Sequence, residues 1–67
     1  MIEIVVNGEP RRVPEGQTLL DLLARLDLDP ARVAIELDRR IVRKPDWEGT
    51  VLSPGARLEI VQFVGGG

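Results

Sequence analysis

The chain of 67 residues is 43 % apolar and carries nine basic and eleven acidic side chains, for a formal net charge of -2, with no cysteine and no histidine. Such a length holds one small domain of marginal stability. Without cysteine there is no disulfide framework, thiolate nucleophile or zinc cluster; without histidine no side chain titrates near neutrality unaided; and the acidic excess argues against a general nucleic-acid binder, which needs surplus Lys and Arg to neutralise phosphate.

Ile2, Ile4 and Val6 alternate with Glu3 and Val5, the two-residue period of a strand. Asn7-Gly8 then supplies the pair that tolerates the positive φ angles of a tight hairpin turn. Pro10 and Pro14 flank Arg11-Arg12-Val13, so the returning strand is expected to be short and at a sheet edge. Thr18, followed three places later by Asp21, forms a capping-box pattern, and Leu19, Leu22, Leu23 and Leu26 recur at i, i+3, i+4 and i+7. That spacing predicts one amphipathic helix over Leu19 to Leu26.

Asp29-Pro30 reads as the N-cap and first position of a further single turn. Val33, Ile35 and Leu37 alternate with Ala34 and Glu36 as a third strand; Asp38-Arg39-Arg40 is expected to turn the chain into Ile41-Val42-Arg43, which Pro45 ends. Residues 45–50 are expected to be irregular, Ser53-Pro54-Gly55 has the composition of a β-turn, and the last strand is expected from Arg57 to about Val64. A hairpin followed by an amphipathic helix must lay its leucines on one sheet face, which gives a two-layer α+β domain. The β-grasp arrangement, with the last strand inserted parallel to the first and a mixed sheet of four to five strands on one main helix, fits this order. Residues 1–64 are expected to form that single domain and residues 65–67 a flexible tail.

Strand parity has functional content. If Ile2, Ile4 and Val6 face the helix, Val5 faces away, and in the last strand Leu58 and Ile60 share the inner face while Glu59, Val61 and Phe63 take the other. Val5, Val61 and Phe63, with Val42, would then form an exposed apolar patch of the kind that marks a partner site. The alternative is that a bulge or twist returns Phe63 to the core. Trp47 is expected to cover the open end of the core. Arg39, Arg40, Arg43 and Lys44 gather four bases within six residues, either as a solvated edge or as a dock for an acidic surface.

Tyrosine is absent as well, so acid/base chemistry would fall to carboxylates, Lys44 or arginine, groups that so shallow a domain desolvates too little to retune. The chain is therefore not expected to be an enzyme. No apolar run approaches the ~20 residues that cross a bilayer, and Met1 leads into Ile2-Glu3-Ile4 without the basic and apolar regions of a secretory signal. A cytoplasmic location without membrane partners is expected.

The sequence closes on Val64-Gly65-Gly66-Gly67. Glycine loses the most conformational freedom on ordering and packs nothing, so these residues are either a frayed end or a feature kept for another reason. A segment without Cβ atoms can extend ~10 Å beyond Val64 and thread a channel too narrow for side chains. Its terminal carboxylate, with an ordinary α-carboxyl pKa of ~3.3 to 3.7, is an anion at neutral pH and a nucleophile towards a phosphoanhydride.

Gly16-Gln17-Thr18 before the leucine-rich helix, Ile41-Val42 with Trp47 soon after, Pro54-Gly55 and, above all, the block from Glu59 through Val64 to Gly65-Gly66-Gly67 resemble the ThiS family. Its members are ubiquitin-like sulfur carriers of thiamine biosynthesis. The resemblance covers essentially the whole chain. It implies a co-substrate: an E1-like adenylyltransferase uses ATP and Mg²⁺ to activate the Gly67 carboxylate, a persulfide donor displaces AMP to leave a thiocarboxylate, and thiazole synthase takes the sulfur. Gly65, Gly66 and Gly67 would enter partner active sites, with Val5, Val61, Phe63 and Val64 as the partner interface. No cofactor or metal is expected to be bound by this chain itself. A molybdopterin-synthase small subunit, a ubiquitin-like protein modifier and a passive interaction module stand as alternatives.

Overall fold

A computed structural model describes residues 1–64 of the chain. Five strands, β1 (Ile2–Val6), β2 (Glu9–Val13), β3 (Val33–Leu37), β4 (Arg40–Val42) and β5 (Arg57–Gln62), form one sheet in the order β2-β1-β5-β3-β4. Helix α1 (Leu19–Arg25) covers one face. β5 runs parallel to β1 and antiparallel to β3, which is the expected β-grasp arrangement, with all five strands in place.

Each element follows from local chemistry. The β1–β2 hairpin turns on two residues, Asn7 at φ 50° and Gly8 at φ 81°, with Val6 opposite Glu9. β2 lies at the edge, where the missing N–H of Pro10 leaves no gap in an interior ladder. Thr18 caps α1 as the spacing predicts: its hydroxyl accepts from the Asp21 N–H at 3.2 Å, and an Asp21 carboxylate oxygen accepts from the Thr18 N–H at 3.0 Å. Leu19, Leu22 and Leu23 are fully buried against Ile4, Ile35 and Leu58, and this apolar burial is the main force holding helix to sheet.

Four boundaries differ from the sequence expectations. Leu26 is the C-cap of α1 rather than its last helical residue. The turn before β4 comprises only Asp38 and Arg39, at φ 49° and 71°, so Arg40 belongs to the strand and Arg43 does not. Lys44–Asp46 forms a 3-10 turn where irregular chain was expected, because Pro45 presets its φ and Trp47 anchors its exit. β5 stops at Gln62, two residues short of Val64, although the Phe63 N–H still donates to the Arg32 carbonyl at 2.7 Å. Trp47 is buried as expected, its Nε1–H donating to the Val42 carbonyl at 2.8 Å, and Lys44 Nζ lies 5.7 Å from the ring centroid.

Candidate surface for partner docking and tail presentation

β5 is the central strand, and its far end delivers the chain to Val64, which is 94 % exposed. The alternation along β5 places Leu58 and Ile60 in the core and Val61 and Phe63 on the side away from α1, at 57 % and 55 % exposure. Phe63 does not return to the core. The parity argument therefore holds for this strand.

It fails for β4. The two-residue turn pairs Glu36 with Ile41 and Ile35 with Val42, so Val42 points inward and packs against the core while Ile41 is 77 % exposed. Ile41 takes the surface position first assigned to Val42. A shallow groove joins Ala34, Ile35, Glu36, Ile41, Glu59 and Val61, and Ala34 stands directly across from Val61 in the β3–β5 register. Val5 is half-buried and is not brought into this groove; it pairs with Arg57, and Glu59 follows on the same face of β5 before Val61 is reached. Glu36 and Glu59 face one another across the strands, which gives the apolar groove an acidic border.

Arg39, Arg40, Arg43 and Lys44 are all exposed, at the opposite edge from β2. Among the described residues, no charged side chain is buried, Gln17 buries its Oε1 without a hydrogen-bond partner, and no three acidic residues gather as metal ligands. The fold thus offers a surface and an exit for a chain end. Gly65, Gly66 and Gly67, to which the reactive role was assigned, lie outside the described residues.

Asn7 was read only as a turn residue, yet its side chain reaches β5. Its Oδ1 accepts from the Ile60 N–H at 2.7 Å and its Nδ2 donates to the Ile60 carbonyl at 3.1 Å. No local pattern signals a contact across 53 positions.

The ThiS family model matches residues 4–67. The chain is 38 % identical to a thiazole synthase of Paramagnetospirillum magneticum over 98 % of its own length, but it spans only 20 % of that protein. It is 27 % identical to the sulfur carrier protein ThiS of Escherichia coli, covering 98 % of this chain and 100 % of that one. The crystal structure of a thiamine biosynthesis protein (ThiS) from Geobacter metallireducens superimposes with a TM-score of 0.84 at 28 % identity, covering 98 % and 100 % of the two chains.

Proposed function

The chain belongs to the ThiS family, and from that premise we propose that it is a protein co-substrate that carries sulfur for the thiazole moiety of thiamine. The observation that carries this reading is the family match across residues 4–67, which runs through the exposed end of β5 into Gly65–Gly67. The Gly67 carboxylate attacks the α-phosphorus of ATP in an E1-like adenylyltransferase, and pyrophosphate leaves. The terminal sulfur of a persulfide then attacks the acyl carbon, AMP leaves, and a thiol cleaves the remaining S–S bond to give the thiocarboxylate.

ATP and Mg²⁺ belong to the adenylyltransferase. Gly66 and Gly65 form the thin approach to the reacting carbon, since a strand without Cβ atoms passes where side chains collide. Val61, Phe63 and Val64 present the apolar surface on which partners dock, with Ile41 adjoining Val61 across the groove, and Val5 lies apart from it beyond Glu59. Thiazole synthase as acceptor is supported by relatives of that name in which a segment similar to this chain makes up about a fifth of the length. Joining donor to acceptor in one polypeptide raises their effective concentration. Cytoplasmic action follows from the same reading.

The test incubates the chain with an E1-like adenylyltransferase, ATP and a persulfide source, then adds a thiol-alkylating reagent and maps the adduct by mass. With no cysteine in the chain, rapid alkylation at Gly67 reports a thiocarboxylate. Removal of Gly65–Gly67 is expected to abolish loading and leave the urea midpoint unchanged; a chain without the three glycines that still loads refutes the role.

A further inference from the structure

Resting on the sulfur-carrier reading, we propose that Asn7 is a positioning residue: its side-chain amide stands in for a missing strand and holds the end of β5 from which the glycine segment departs. β1 pairs with β5 only at Val5 and Val6, because the chain turns away at Asn7-Gly8 into β2. The backbone rungs end with Val5 N–H donating to the Ala56 carbonyl at 2.9 Å and Asn7 N–H donating to the Leu58 carbonyl at 2.8 Å. A further rung needs an acceptor facing the Ile60 N–H and a donor facing the Ile60 carbonyl. The Asn7 amide supplies both, at 2.7 and 3.1 Å.

The other edge of β5 is held by β3 as far as the bond from Phe63 N–H to the Arg32 carbonyl. Ile60 is therefore the last residue of β5 held on the β1 side, four positions before the exposed Val64, with the odd-numbered residues up to Phe63 turned to β3. The hairpin accounts for an Asn here but not for the reach of its amide to β5. The turn favours Asn at φ 50° but glycine adopts it without strain, so the contact of the amide with Ile60 is a second role that a glycine would lose.

A strand end held on both edges meets a partner already ordered. If that hold is lost, the partner must order the segment itself, and ordering one backbone residue lowers affinity about 5- to 30-fold. Asn7→Gly separates the two roles, since it keeps the turn and removes the amide. In the isolated variant, NMR hydrogen exchange of the Ile60 N–H is expected to accelerate about tenfold relative to that of Ile35, a buried residue of β3 that Asn7 does not contact, and relaxation at Gln62–Val64 is expected to show added motion. With the E1-like adenylyltransferase and ATP, pyrophosphate release is expected to show a KM for the carrier raised about tenfold at unchanged kcat.

A merely structural role lowers the melting temperature but leaves the KM of folded chain untouched. Asn7→Asp retains an acceptor for the Ile60 N–H and the preference for positive φ, so it is expected to recover part of the Ile60 protection, and it serves as the second variant if Asn7→Gly does not fold. The proposal is overturned if Ile60 exchange in both variants tracks that of Ile35, or if the wild-type chain is adenylated and the variants share its KM. A wild-type chain that is never adenylated sinks the sulfur-carrier reading, and the exchange data alone then decide what Asn7 does.

Discussion

Replacing Phe63 by Asp separates a docking surface from a core. A phenylalanine side chain spans ~200 Å², so 55 % exposure leaves about 110 Å² for a partner to cover. At ~25 cal/mol per Å² that area contributes ~2.7 kcal/mol, or about a hundredfold in affinity. The ~90 Å² already covered within the chain limits the loss of folding stability to ~2 kcal/mol, and the new carboxylate joins a face that already bears Glu36 and Glu59. Phe63→Asp is therefore expected to weaken binding to the E1-like adenylyltransferase by about two orders of magnitude in a calorimetric titration, while urea unfolding stays cooperative. An affinity within threefold of wild type refutes the docking surface. Loss of all cooperative unfolding refutes the assignment of Phe63 to the surface.

Two further substitutions probe the scaffold. Leu22→Ala removes a fully buried side chain between α1 and the sheet and is expected to lower stability by ~2 to 5 kcal/mol, read from the urea midpoint; a loss below ~1 kcal/mol would mean that the helix is not packed as described. Arg39→Gly acts in the opposite direction. A non-glycine residue at φ 71° costs ~1 to 2 kcal/mol and glycine returns ~0.5 to 1 kcal/mol of that as unfolded-chain entropy, so a gain of ~0.5 to 1 kcal/mol is expected, about 3 to 6 °C in Tm. A lower Tm would show that the Arg39 side chain itself stabilises the turn.

Where the physics is local, the sequence was legible. The capping pair Thr18 and Asp21, the leucine spacing of α1, the Asn7-Gly8 hairpin and the edge position of a strand containing Pro10 each depend on neighbours within a few residues. The outward turn of Val61 and Phe63 follows from strand parity, and so was legible too. Ile41 was missed because parity in β4 depends on turn length. Counting Arg40 in the turn put Val42 outside, whereas the two-residue turn at Asp38-Arg39 reverses the assignment, and a one-residue slip flips every side chain. Neither turn residue is glycine, so the usual signal for a positive φ was absent. Asp38 is held there by a distant partner, its Oδ1 accepting from the Arg57 N–H at 3.0 Å and its N–H donating to the Arg57 carbonyl at 2.8 Å. The bonds from Asn7 to Ile60 were illegible for the same reason, since they exist only once the sheet has closed.

The central place of β5 has a consequence for biosynthesis. β1 with β2, and β3 with β4, are neighbours in sequence and can zip together as soon as they emerge from the ribosome, but the strand that unites them is made last among the described elements. A nascent polypeptide halted before Arg57 is left as two separate ribbons with bare inner edges, the kind of template that invites aggregation. β5 must therefore be made before the sheet can close, and a message cut short before Arg57 yields debris for proteases rather than a folded domain.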